Sequence, residues 1–207
     1  MRLVRFFKAF WRDQRGAGAA EFALILPIFI LFVIAIIDAG RYAYLFNQGE
    51  KASQVGARAA VVTDPLVTEL ATYTYTGRTV GGVLINQGDR IPASAFGKIT
   101  CRSTGCTCVS GTCLDGTLTL DTTSFNRVAG RVKNIYPRVA LADIAIDYSG
   151  SGLGYAGNPT GMDIAPFVTV RLLNQTFRSY LLFGSTVGFP DFAYTLTMED
   201  GQGTNFN

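Results

Sequence analysis

Gly16 and Glu21 stand five residues apart at the head of an apolar run, RGAGAAEFALILPIFILFVIAII. Glycine lets a protease approach the backbone closely because no Cβ stands in the way. A carboxylate in a membrane-length apolar segment costs about 2.5–3.5 kcal/mol at the bilayer centre, and less near an interface. One short stretch therefore offers both a cut site and a charge in need of a counter-ion. The second reactive set is Cys101, Cys106, Cys108 and Cys113, spaced C-x4-C-x-C-x4-C. An even count in a segment poor in apolar residues points to disulfides in an exported domain. Zinc is the functional alternative, but the spacing departs from paired C-x2-C and the chain has no histidine. Cys101–Cys106 with Cys108–Cys113, or the interleaved set, is easier than joining Cys106 to Cys108 across one residue.

The lack of histidine removes Ser-His-Asp and Cys-His nucleophile systems and every histidine metal motif. The carboxylates are scattered, and no G-x-x-x-x-G-K-[ST] phosphate loop occurs. These features predict no enzyme activity, no cofactor and no metal. Residues 1–16 hold five of the 18 cations and one of the 15 acids, so the remainder is formally −1. That balance argues against a nucleic-acid partner.

The elements that must position these residues begin with a helix. Ala17 to Ile37 is 21 residues long and Glu21 is its only charge. As a helix it spans roughly 30 Å, the thickness of a bilayer's hydrocarbon core. Pro27 removes one backbone donor and should bend or loosen it. Ahead lie Arg2, Arg5, Lys8, Arg12 and Arg15, opposed only by Asp13. This bias keeps residues 1–16 in the cytoplasm and exports the chain beyond Ile37. At helical spacing the five cations face away from Leu3, Phe6, Phe7 and Phe10. The leader thus reads either as a basic amphipathic helix on the inner membrane surface or as a solvated tail that sets orientation. Past Asp38, Arg41, Tyr42, Tyr44 and Phe46 suit the opposite interface. A removable secretory signal would carry a small-x-small site after its core. Ile37-Asp38-Ala39 fits that poorly, and the small residues Gly16–Ala20 precede the core instead. A cut there leaves the helix on the mature chain.

Gly16, Glu21, the following Phe22 and the apolar helix resemble the processing site of type IV pilins and pseudopilins. The segments RGAGAAEFALILP, DAGRYAY and EKASQVGARAAV, within residues 15–62, are similar to TadE-like minor pseudopilins of the tight adherence (Tad or Flp) pilus. The resemblance implies that a membrane aspartyl prepilin peptidase cuts between Gly16 and Ala17 on the cytoplasmic side. Glu21 then becomes the fifth mature residue and can pair with the N-terminal amine of a neighbouring subunit. Implied partners are the prepilin peptidase, other pilins and minor pseudopilins, the inner-membrane Tad assembly machinery and the lipid bilayer. The alternative is an unprocessed single-span protein whose periplasmic domain binds a ligand or envelope component.

Beyond the span, the helix should run to about Val62, with Leu45, Ala52, Val55, Ala59 and Val62 as a packing stripe. Gly40, Gly49 and Gly56 should each weaken it by about 1 kcal/mol, and Thr63-Asp64-Pro65 should stop it. A second helix is predicted over 124–136, capped by Thr123 or Ser124 and ended by Pro137. Strands are predicted over 140–148, 167–174 and 192–198, with weaker ones near 80–85 and 116–120. Gly150–Gly161 reads as a loop and Gly201–Asn207 as a loose tail. The fold class is α+β: a long membrane-spanning helix, then a periplasmic domain with an amphipathic helix and a small antiparallel sheet. The expected organisation is a cleaved leader (1–16), a transmembrane and extended helix (17–62), and a periplasmic domain (63–207) with a Cys-rich loop at 101–113.

Overall fold

The computed structural model of the chain describes residues 16–159 and 161–198. The expectations for the basic leader and for the C-terminal tail fall outside those residues. Helix α1 (Ala17–Val62) is 46 residues long and runs on through Pro27. Among the described residues it is the one helix long and apolar enough to cross a membrane. Most large apolar side chains from Phe22 to Ile37 are exposed, as a lipid-facing helix requires, since its backbone groups are satisfied internally. At the other end, Thr63 Oγ1 donates to the Ala59 carbonyl at 2.5 Å and Pro65 follows, closing the last turn.

In chain order the strands are β1 (Thr79–Val80), β2 (Val83–Leu84), β3 (Lys98–Arg102), β4 (Gly105–Ser110) and β5 (Ile144–Ser149). They continue as β6 (Phe167–Leu172), β7 (Thr176–Arg178), β8 (Thr186–Gly188) and β9 (Phe192–Thr197). Helix α2 (Thr122–Ile135) lies between β4 and β5 in the sequence. The class is α+β with antiparallel pairing. The chain divides into two compact units. One holds α1 up to Tyr44 together with Arg178–Val187. The other holds Leu45–Phe177 and the chain from Gly188 onward.

The larger unit is built on a five-stranded sheet of order β4-β3-β5-β6-β9. Strict alternation sets its two faces. Ile144, Ile146 and Tyr148 on β5 stand beside Val168, Val170 and Leu172 on β6, with Phe192, Tyr194 and Leu196 on β9 in register. Residues 45–62 of α1 pack on this face, with Gly49 against Phe192 and Gly56 against Val170, and Gly56 also meets Val132 of α2. Phe125, Val128, Ala129 and Val132 of α2 are buried. The Tyr148 hydroxyl accepts a hydrogen bond from the Leu66 amide at 3.1 Å, and burial pushes its phenol pKa up.

The packing stripe on α1 differs from the predicted one. Leu45, Ala52 and Ala59 are buried as predicted, but Val55 is half-buried and Val62 exposed, and the buried line also takes in Gly49, Ser53, Gly56, Ala57 and Ala60. A Cβ at Gly49 would lie 2.6 Å from Phe192 Cδ2, and one at Gly56 would lie 2.5 Å from Val132 Cγ2 and 3.1 Å from Val170 Cγ1. These glycines are the points of closest approach, so their low helix propensity is offset by contact that no larger residue permits.

Other boundaries also move. Asp121, not Thr123 or Ser124, caps α2. Its carboxylate accepts from the Thr123 amide at 2.8 Å and from the buried Ser124 hydroxyl at 2.6 Å. The strand predicted from 140 begins at Ile144, because Leu141–Asp143 form a 3-10 turn. The strand predicted to 174 ends at Leu172, and Asn174 turns the chain at φ 56°. Near 80–85 the structure forms the β1–β2 hairpin, its two-residue turn made by Gly81 and Gly82 at φ 59° and 84°, values suited to glycine. The segment 116–120 is no strand, and Leu120 makes only an isolated bridge to Val67.

Candidate functional site

Gly16 is exposed and Ala17 opens α1. Nothing lies within 4 Å of where a Cβ would stand at Gly16 or Gly18. Glu21 is also exposed, and no group among the described residues pairs with it. Ala17 and Glu21 are four residues apart, one turn along the same helix face. Gly16 and Glu21 are thus exposed at the head of the helix, which Ala17 opens.

Where the apolar run ends, the same unit holds a polar cluster that sequence reasoning missed. Asp38 is only 6% exposed. Its Oδ1 accepts from Arg41 Nη1 at 2.8 Å, and its Oδ2 accepts from Ser179 Oγ at 2.7 Å and the Leu181 amide at 2.8 Å. The Arg41 guanidinium stacks 4.0 Å from the Tyr180 ring centroid. The sequence placed Arg41 at an interface just past Asp38 but gave no sign that Asp38 has partners more than a hundred residues away.

In the larger unit the segment predicted as a Cys-rich loop is the β3–β4 hairpin. Cys101 and Cys106 face each other in register and are joined, with Cα atoms 4.0 Å apart. Cys108 is joined to Cys113 at a Cα separation of 6.0 Å. Strand β4 lies at the sheet edge with its last four residues exposed. An edge strand held by a cross-link needs few apolar residues, so composition alone suggested a loop. Among the described residues no group of three or more His, Cys, Asp or Glu side chains is placed to hold a metal ion.

The polar face of the sheet carries Asp147, 3% exposed. Arg171 grips it with a two-pronged contact, Nε to Oδ2 at 2.8 Å and Nη2 to Oδ1 at 3.0 Å. Thr100 Oγ1 donates at 2.7 Å and Lys98 Nζ lies 2.9 Å away. Burial alone would raise the Asp147 pKa; these donors and cations outweigh it and hold the carboxyl below its usual range. The two cations compensate the buried charge, and the arrangement binds three adjacent strands.

Neither a curated protein nor a solved structure shows a significant match to this chain. A family model described as TadE-like protein matches residues 16–58. That stretch begins at Gly16, includes Glu21, Asp38 and Arg41, and ends in the part of α1 that packs on the sheet. Over this segment the chain is similar to TadE-like proteins.

Proposed function

We propose that the chain is a minor pseudopilin, cut by a prepilin peptidase between Gly16 and Ala17 and acting in assembly of a Tad/Flp adhesive pilus. The observation that carries this reading is the TadE-like match beginning at Gly16, on a helix whose exposed carboxylate sits five residues later. The cut removes the basic leader and creates an α-amine on Ala17, one turn from Glu21. At the helix head this forms a compact pair of opposite charges. Between laterally packed subunits in a bilayer, the amine of one helix meets the carboxylate of the next. Low dielectric strengthens such a pair, and losing one partner leaves the other charge uncompensated. In this reading the helix is anchored in the inner membrane with the larger unit on the periplasmic side, in contact with other pilins and the Tad machinery. Its work is packing and register rather than catalysis.

Glu21→Ala tests the pairing. Removing a charge from the span favours insertion, so membrane levels of the protein should hold while pilus assembly and surface adhesion are lost. Normal assembly by this variant would refute the pairing.

A further inference from the structure

The turn joining β7 to β8 exposes a cluster that folding does not account for. Phe183 is 96% exposed, and Leu182 and Tyr180 are exposed beside it. Phe183 is also held at φ 51°, in the left-handed region that bulky residues avoid. The turn is nonetheless tightly bonded. The Phe183 amide donates to the Tyr180 carbonyl at 3.1 Å, Gly184 to Ser179 at 2.8 Å, and Ser185 to Leu182 at 3.0 Å. The Leu182 amide donates to Ser179 Oγ at 3.0 Å. A large apolar ring is therefore fixed outward in an unfavourable conformation, a pattern characteristic of sites that act on a partner.

The partner's chemistry is set by where the turn is tied. Ser179 and Leu181 both donate to Asp38, which directly follows Ile37, the last residue of the apolar run. Arg41 stacks on Tyr180, and its Nη1 reaches the Arg178 carbonyl at 3.4 Å. The tip is thus held at the level where the helix leaves hydrocarbon, with arginines and tyrosines around it. Aromatic rings and basic side chains favour that depth, the rings in the boundary and the cations among headgroup phosphates.

We propose that the 179–185 turn is a second membrane contact, in which Tyr180, Leu182 and Phe183 insert into the headgroup–acyl boundary beside the exit of α1. The inference rests on the reading of Ala17–Ile37 as a bilayer span. Two contacts fix what one helix leaves free: the rotation of α1 about its axis and its depth. Asp38 is the positioning residue that couples them.

Trp11 is the chain's single tryptophan, which permits a direct test. The full chain carrying Trp11→Phe is reconstituted in phosphatidylcholine–phosphatidylglycerol vesicles containing lipids brominated at shallow or deep acyl positions. Single probes are then introduced as Phe183→Trp, Ile28→Trp and Tyr155→Trp. Ile28→Trp should be quenched most by deep bromine. Phe183→Trp should emit to the blue and lose most emission with shallow bromine, at a depth of roughly 5–10 Å below the headgroups. Tyr155→Trp, in the larger unit, should be unquenched. If Ile28→Trp escapes quenching, the span itself is wrong and the second contact falls with it. If Ile28→Trp is quenched while Phe183→Trp emits as a solvent-exposed ring, the span stands and the second contact is refuted. Blue emission from Phe183→Trp that no brominated lipid quenches would also overturn it, in favour of a protein surface covering the tip.

Discussion

At the level of single residues, the two kinds of helical glycine have opposite consequences. Gly56 is buried against Val132 and Val170, whereas Gly130, on the exposed side of α2, has nothing within 4 Å of its would-be Cβ. Gly56→Ala should therefore destabilise the protein by about 1–3 kcal/mol through overpacking. Gly130→Ala should stabilise it by roughly 0.5–1 kcal/mol through helix propensity. Thermal or denaturant unfolding of the full chain in detergent checks both, and equal effects would contradict the packing described. Asp147 makes a second case. Asp147→Asn should cost about 1.5–3 kcal/mol, the range for hydrogen bonds to a charged group. Because this carboxyl titrates lower in the folded chain than when unfolded, its contribution is complete above about pH 5 and is lost as pH falls through the folded value. The acid limb of the stability profile should flatten in the variant. The sequence showed none of this, since Lys98, Thr100, Asp147 and Arg171 come from three strands and only register brings them together.

Among the elements, those with strong periodicity were readable and those held by cross-links or register were not. The 3.6-residue pattern of Phe125, Val128 and Val132 gave α2, and alternation gave the inner faces of β5 and β9. The β3–β4 hairpin escaped because β4 lies at an edge, where apolar alternation is not required, and because cysteines mark both loops and paired strands. Each disulfide closes five residues of sequence separation, which in the chain-entropy description contributes about 2 kcal/mol. Reduction should lower the unfolding midpoint and strip amide-exchange protection from β4. Protection should persist in β5 and β6, which are central to the sheet. Loss of protection across the whole sheet would show instead that the hairpin holds the fold together. The β7–β8 turn was likewise missed, since its tie to Asp38 spans 141 residues of sequence.

For the whole molecule, the working parts lie on one helix. Its head carries the proposed cut site and a carboxylate, its middle is exposed apolar surface, its exit is a bonded acidic residue, and residues 45–62 pack by small side chains. The head stands out in the sequence because Gly16, Glu21 and the basic leader are close in the chain and of unusual types. The exit cluster and the glycine packing were hidden, because both are defined by distant partners. On the proposed reading, the order of events is insertion with the leader in place, cleavage after Gly16, and then pairing of the new amine with a neighbour's Glu21. Cleavage is the step on which the rest depends. The most direct measurement is the N-terminal sequence and intact mass of the protein extracted from membranes of cells with an active prepilin peptidase. The expected result is a chain that begins at Ala17 and lacks the leader. A chain that still begins at Met1 would contradict processing and, with it, the pairing that processing makes possible.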